Sequence, residues 1–275
     1  MRKDRFLNIF LVGLPGSGKT KFILDSPNPL LIDFDYGDLT AQGLRKNIPI
    51  LRPKNEDQIR AIIEDPELVI DRAIRKIKAF ENYEVKTIAW DTISTMQDII
   101  LGEGRRPEVD FGDGVILPQR NASGILALPA ARENPEMPEG KDYQVFSARM
   151  RKLALSIKQM PYHTILTAHM APEDQVQTST KPNPRTGAVP APKAGYPLLT
   201  GQLRYQMGGL SDFYILLERM GSNFVLKTQP SGVFHARNRI DHLLKPVIPW
   251  KDQNGFDLLY QPLQEALQNQ EENDE

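Results

Sequence analysis

Eight residues near the start of the chain, Gly13-Leu14-Pro15-Gly16-Ser17-Gly18-Lys19-Thr20, constrain the fold more than any other stretch. They match GxxxxGK[ST] at every fixed position. An apolar run precedes them, residues 6–12 (FLNIFLV), and a helical segment begins at Lys19 and is ended by Pro27 and Pro29. A buried strand, a glycine-rich loop and a helix in that order make a cradle for an anion. Glycines let the backbone wrap with its N–H groups pointing inward, and the helix aims its positive N-terminal end at the same point. The spacing suits the phosphate chain of a nucleoside triphosphate. Lys19 places a cation on the outer phosphates, and Thr20 offers a hydroxyl to Mg2+.

Other candidate residues sit where further apolar runs end. Residues 85–90 read as a strand that ends in Asp91, an acid expected on a strand beside the loop strand, where it holds Mg2+ through water. The run PLLIDFD places Asp33 and Asp35 at a strand's C-terminal end, where open α/β sheets bind ligands, and either acid can orient an attacking water. Residues 162–168 read as another strand closed by His169, either a sensor of a terminal phosphate or a strand-end His bonded to backbone. Arg237 and Arg239, just after a strand read at 233–236, are cations able to reach a terminal phosphate in the same subunit or a neighbour's.

Composition narrows the chemistry. The chain has 275 residues and no Cys, which excludes a disulfide scaffold, thiol catalysis and Cys-ligated metal sites. Its four His include no HExxH pair. A net charge of −1 argues against coating nucleic acid by bulk charge and leaves room for a local basic patch. The N-terminal sequence lacks the pattern of a secretory signal and no run approaches a membrane span, so the protein reads as cytoplasmic.

Strands alternating with helices predict an α/β domain, a mainly parallel sheet with helices on both faces and an antiparallel edge formed by the closely spaced last strands. Helices are expected at 67–81 and 142–160, the latter with an apolar stripe of Val145, Met150, Leu153, Ile157 and Met160. The domain reads as 1–245, with an insertion at 102–141 and a Pro/Gly-rich mobile loop at 171–200. Residues 246–275 read as an extension whose last twelve, with five acids and no base, form a solvated tail.

From Gln175 to Leu210 there are four bases, Lys181, Arg185, Lys193 and Arg204, and no acid, interleaved with Tyr196 and Tyr205. A basic loop with aromatic rings fits single-stranded nucleic acid, where charge tracks the backbone and rings stack on bases. A plain solvated loop has the same composition.

The order of these features resembles the compact RecA-like ATPases of bacteriophages, grouped as an AAA-type domain and associated with single-strand annealing recombinases. The motifs carrying the resemblance are the glycine loop, LLIDFDYGD, TIAWDTIST, HTILTAHM, GQLRYQMGGLSDFYILLER and FHARNRI, over residues 6 to about 240. It implies a RecA-like core that uses ATP and Mg2+. Lys19 and Thr20 match the phosphate Lys and magnesium Thr, and Asp91 the magnesium Asp. Asp35 stands where the family has a catalytic glutamate, one methylene longer. His169 stands where it has a glutamine linking the terminal phosphate to a DNA-binding loop. Arg237 and Arg239 resemble a basic pair inserted across a subunit interface, which implies homo-oligomeric self-assembly. No separate N-terminal domain precedes the first strand, and the 102–141 insertion has no counterpart.

The primary expectation is an ATPase acting on single-stranded DNA in phage recombination or replication, within the host cytoplasm. The acidic tail would contact a phage or host replication protein. Two alternatives use the same loop. One is a small-molecule kinase whose lid is the arginine-bearing 102–141 insertion (Arg105, Arg106, Arg120, Arg132). The other is a non-catalytic ATP-dependent loader or assembly switch.

Overall fold

A computed structural model of the chain describes residues 6–35, 48–53, 55–81, 83–101, 140–170, 197–199, 203–230, 236–238 and 243–274. The strands among them are β1 (Asn8–Gly13), β2 (Pro29–Asp33), β3 (Ile50–Leu51), β4 (Thr87–Asp91), β5 (His163–His169), β6 (Phe213–Met220), β7 (Asn223–Lys227), β8 (Arg237–Asn238) and β9 (Val247–Trp250). The helices are α1 (Lys19–Asp25), α2 (Glu56–Glu64), α3 (Pro66–Glu81), α4 (Ile93–Leu101), α5 (Gly140–Gln159), α6 (Leu203–Leu210) and α7 (Asp257–Asp274).

All the strands join one sheet in the order β3-β2-β4-β5-β1-β6-β7-β9, with β8 also on β6. Pairing is parallel from β3 through β6 and antiparallel from β6 to β7, β8 and β9. The fold is therefore mixed α/β with a mostly parallel sheet and an antiparallel edge. β1 lies between β5 and β6 and is covered on both faces, which explains its apolar run from Ile9 to Val12. Its alternate residues feed two cores. Phe10 and Val12 pack with α2 to α6 on one face, while Leu7, Ile9 and Leu11 pack with α1 and α7 on the other.

Several expectations require correction. Asp91 does not end a strand beside the loop strand, because β5 lies between β1 and β4. In α5 the fully buried aromatic is Phe146, and Val145 is only half-buried. The short strand β8 begins at Arg237, and residues 231–235 lie outside those described. The segment after 246 is built into the domain: β9 pairs with β7, and Trp250, Phe256, Leu259 and Leu263 join the core that holds Phe22. The helix α7 continues through most of the acidic stretch, to Asp274. The 102–141 insertion, before α5 starts at Gly140, and the 171–196 part of the basic loop lie outside the described residues. Among the described residues no helix is long and apolar enough to cross a membrane.

Candidate functional site

The sheet's parallel strands deliver their C-terminal ends to one edge, and a cleft of about 550 Å3 opens there. Its floor is the loop between β1 and α1. Ser17 N–H donates to the Leu14 carbonyl at 3.1 Å, and Phe22 N–H donates to the Gly18 carbonyl at 2.9 Å to start the helix. Gly16 and Gly18 have φ of +77° and +100°, the left-handed region that glycine enters without a Cβ penalty. At Gly13 the need is space, since a Cβ would lie 2.4 Å from Ser17 Oγ and 2.6 Å from the Leu217 carbonyl oxygen. The Ser17 hydroxyl is buried and has no hydrogen-bond partner among the described residues.

Lys19 is 5% exposed. Its ammonium donates to the Gly13 and Leu14 carbonyls at 2.9 and 3.1 Å and faces His169 Nδ1 at 3.5 Å. Burial lowers its pKa, and the charges of Asp91 and Asp35 work against that shift. An ammonium buried on neutral carbonyls, with two carboxylates nearby, is a cation poised for a stronger anion.

Asp91 reaches the loop across the intervening strand. Thr20, in the first turn of α1, donates its hydroxyl to Asp91 Oδ2 at 2.8 Å, and Thr167 of β5 lies within hydrogen-bonding distance of Oδ1. Thr167 is fully buried and also lies 3.1 Å from the Trp90 carbonyl. Burial raises the Asp91 pKa despite the hydrogen bonds from Thr167 and Thr20. The residues thus fit a hard divalent cation: a hydroxyl and a carboxylate already in contact beside the phosphate loop. Among the described residues no cluster of three or more His, Asp or Glu forms a metal cage, so Mg2+ held here would complete its shell with phosphate and water oxygens.

The two acids after β2 take different roles. Asp33 is 1% exposed, accepts from Arg52 at 2.8 Å, and accepts the Asp35 N–H at 3.1 Å. It shapes the turn that delivers Asp35 to the cleft and has no access of its own. Asp35 Oδ2 lies 3.1 Å from His169 Nε2, and Oδ1 accepts from the Thr92 hydroxyl at 3.1 Å. With the Lys19 ammonium facing Nδ1, the network assigns the ring proton to Nε2, which donates to Asp35. Burial alone would raise the Asp35 pKa, but hydrogen bonds from His169, Thr95 and Thr92 outweigh it and hold the carboxyl below its ordinary value. Such a carboxylate is a weak base and a fixed acceptor, suited to orienting a water rather than drawing off its proton. His169 itself pairs in register with Gly13, and its N–H donates to Ser94 Oγ at 3.0 Å.

Lys19, Thr20, Asp35, Asp91 and His169 therefore converge with the loop. Of the arginine pair, the structure places only the Arg237 backbone: it pairs with Tyr214, three residues before Leu217, which is level with Gly13, and so lies about 10 Å down the strand. Only the backbone of Arg237 and Arg204 is described, and Arg239, Lys181, Arg185 and Lys193 lie outside the described residues. Sequence reasoning missed Thr167, Thr92, Thr95 and Ser94. The usable signal was the hydroxyl-rich run Thr92-Ile93-Ser94-Thr95 directly after Asp91. Phe224 and Arg219, which line the cleft from the β6–β7 hairpin, were missed as well.

No curated protein matches the chain. A family model described as an AAA domain matches residues 5–111, a span that holds the loop, Asp35 and Asp91 and ends before β5. Residues 5–111 are thus similar to an AAA domain, a similarity that suggests nucleotide binding and ATPase activity and that the strand–loop–helix setting with its convergent Lys, Thr and Asp accompanies.

Proposed function

We propose that the chain is an Mg2+-dependent, RecA-like ATPase that acts on single-stranded DNA in phage recombination or replication. The observation that carries the ATPase half is the hydrogen-bonded chain across the cleft mouth: Lys19 to His169 to Asp35 on one side, Thr20 to Asp91 on the other. Loop N–H groups and Lys19 bind the triphosphate, and Thr20 and Asp91 hold Mg2+. Bound there, Mg2+ neutralises charge on the phosphate oxygens. Asp35, held by His169, Thr92 and Thr95, orients the water. Its depressed basicity fits slow hydrolysis, in which orientation rather than proton removal is what the protein supplies.

The DNA half rests on the basic, acid-free segment from Gln175 to Leu210 and on how that segment is anchored. Leu198 N–H donates to the His169 carbonyl at 2.6 Å, and Met170 bridges to Pro197. The residue that faces Lys19 therefore also holds Leu198, within the basic segment. A terminal phosphate that displaces the Lys19–His169 contact would bias the segment directly. Arg237 and Arg239 would serve a neighbouring subunit in a homo-oligomer.

The test is ATP hydrolysis with and without single-stranded DNA, beside a variant lacking residues 175–194. Stimulation by DNA in the full chain, with DNA binding lost and ATP binding kept in the deletion, is expected. A rate indifferent to DNA, or DNA affinity that survives the deletion, overturns the DNA assignment. Phosphate transfer to a small acceptor instead of water would establish a kinase.

A further inference from the structure

The catalytic groups occupy one end of the cleft, the end reached from β2, β4 and β5. The other end, on the β6–β7 side of the loop, has a different chemistry. Phe224 and Arg219 stand directly opposite each other on the antiparallel hairpin and so project from the same face. The Arg219 guanidinium lies 5.8 Å from the centre of the Phe224 ring, and its Nε donates to the Gly221 carbonyl at 3.1 Å, which fixes its direction. Phe224 is half-buried. It rests on Trp250, ring centres 5.0 Å apart, and presses so closely on Gly18 that a Cβ there would meet the ring at 2.7 Å. Both Phe224 and Arg219 line the cleft.

A half-buried aromatic ring backed by a second ring, with a directed cation over it at 5.8 Å, is an unusual wall for a phosphate site. Phosphate needs no π face. A nucleoside triphosphate held with its terminal phosphate towards Asp35, Asp91 and His169 must extend its ester end the other way, across Gly18 to the hairpin. We infer that Phe224 is a stacking platform for the aromatic base of that nucleotide, and that Arg219 donates to acceptor atoms on the base edge. The inference rests on the nucleotide reading above and adds the residues that hold the base. It also gives Gly18 a second role: the missing Cβ lets the ring sit against the loop, so that base and phosphates share one continuous surface.

The experiment is calorimetric titration of the full chain, in Mg2+, with ATP and with inorganic tripolyphosphate, for the wild type, Phe224→Leu and Phe224→Tyr. Leucine keeps an apolar side chain against Gly18 and Trp250 and removes the π face. Tyrosine restores the ring. Stacking on an aromatic side chain predicts a loss of ATP affinity of about tenfold or more in Phe224→Leu. Tripolyphosphate affinity should stay within about twofold, and Phe224→Tyr should bind ATP as the wild type does. Unchanged ATP affinity in Phe224→Leu overturns the inference. So does an equal loss for both ligands, which would make the ring a support for the loop alone, and so does a wild type that binds tripolyphosphate as tightly as ATP. A wild type that binds neither ligand removes the nucleotide reading itself.

Discussion

Replacing Asp91 with Asn should stabilise the fold while removing its metal-dependent function. The carboxylate is 4% exposed, and burial raises its pKa more than the hydrogen bonds from Thr167 and Thr20 and the Lys19 charge lower it. A raised carboxyl pKa means that the surroundings favour the neutral form, at about 1.4 kcal/mol per unit. Asparagine is neutral and nearly the same shape. The Thr20 hydroxyl keeps an amide oxygen to donate to, and the Thr167 hydroxyl can turn to the Trp90 carbonyl, 3.1 Å away. The expected gain appears as a rise in Tm at neutral pH, at about 2–4 °C per kcal/mol for a domain of this size. The sign has a pH signature. Because the folded-state pKa lies above the unfolded one, the wild type gains stability as pH falls through the folded value, and the variant does not. The gap in Tm should therefore be widest at neutral pH and close on acidification. Calorimetric unfolding across pH provides the assay, with Mg2+ and ATP added in a second series that should raise the wild-type Tm alone. A variant less stable than the wild type at neutral pH, or a gap that ignores pH, would refute the account of Asp91.

Other perturbations test other parts of the structure. Gly13→Ala drives a Cβ to 2.6 Å from a backbone oxygen of β6 and should cost about 1–3 kcal/mol in urea unfolding; Gly209→Ala, exposed in α6 with open space around its Cβ position, should gain up to about 1 kcal/mol. Asp35→Asn should lower kcat by about 100-fold or more while ATP affinity is retained, as steady-state kinetics beside a binding titration would show. Asp35, with its pKa held down, adds stability that is present above the ordinary carboxyl value of 3.8 and is lost as pH falls through the lower folded value; a Thr92→Val, Thr95→Val double variant should lose less stability than the wild type below that pH. Truncation after Lys245 strips Trp250, Phe256, Leu259 and Leu263 from the core around Phe22, and circular dichroism should find no cooperative unfolding transition in the product.

The parts of this molecule legible in its sequence are those whose local pattern equals their tertiary role. β1 is apolar on both faces and sits mid-sheet, and the loop after it has a spacing set by phosphate geometry. Strand order was not legible: nothing in residues 163–169 says that they lie between β1 and β4, yet that placement puts Thr167 on Asp91. Asp33 and Asp35 look alike in sequence, and what separates them is Arg52, whose partner depends on β3 lying beside β2. The C-terminal segment misled for another reason. Phe256, Leu259 and Leu263 make a helical stripe, but Pro262 and a run of Gln and acidic residues obscure it. The start of α2 left a readable mark, Asn55, whose side chain accepts the Gln58 N–H at 3.0 Å as an N-cap.

The central claim is that Lys19 and the groups around it hold ATP for hydrolysis. Single-turnover hydrolysis of ATP in Mg2+ and in excess chelator, for the wild type, Lys19→Ala and Asp35→Asn, tests it most directly. The structure predicts metal-dependent turnover in the wild type, no detectable binding or turnover in Lys19→Ala, and binding without turnover in Asp35→Asn. Hydrolysis by Lys19→Ala at the wild-type rate, or equal rates with and without the metal, would contradict it.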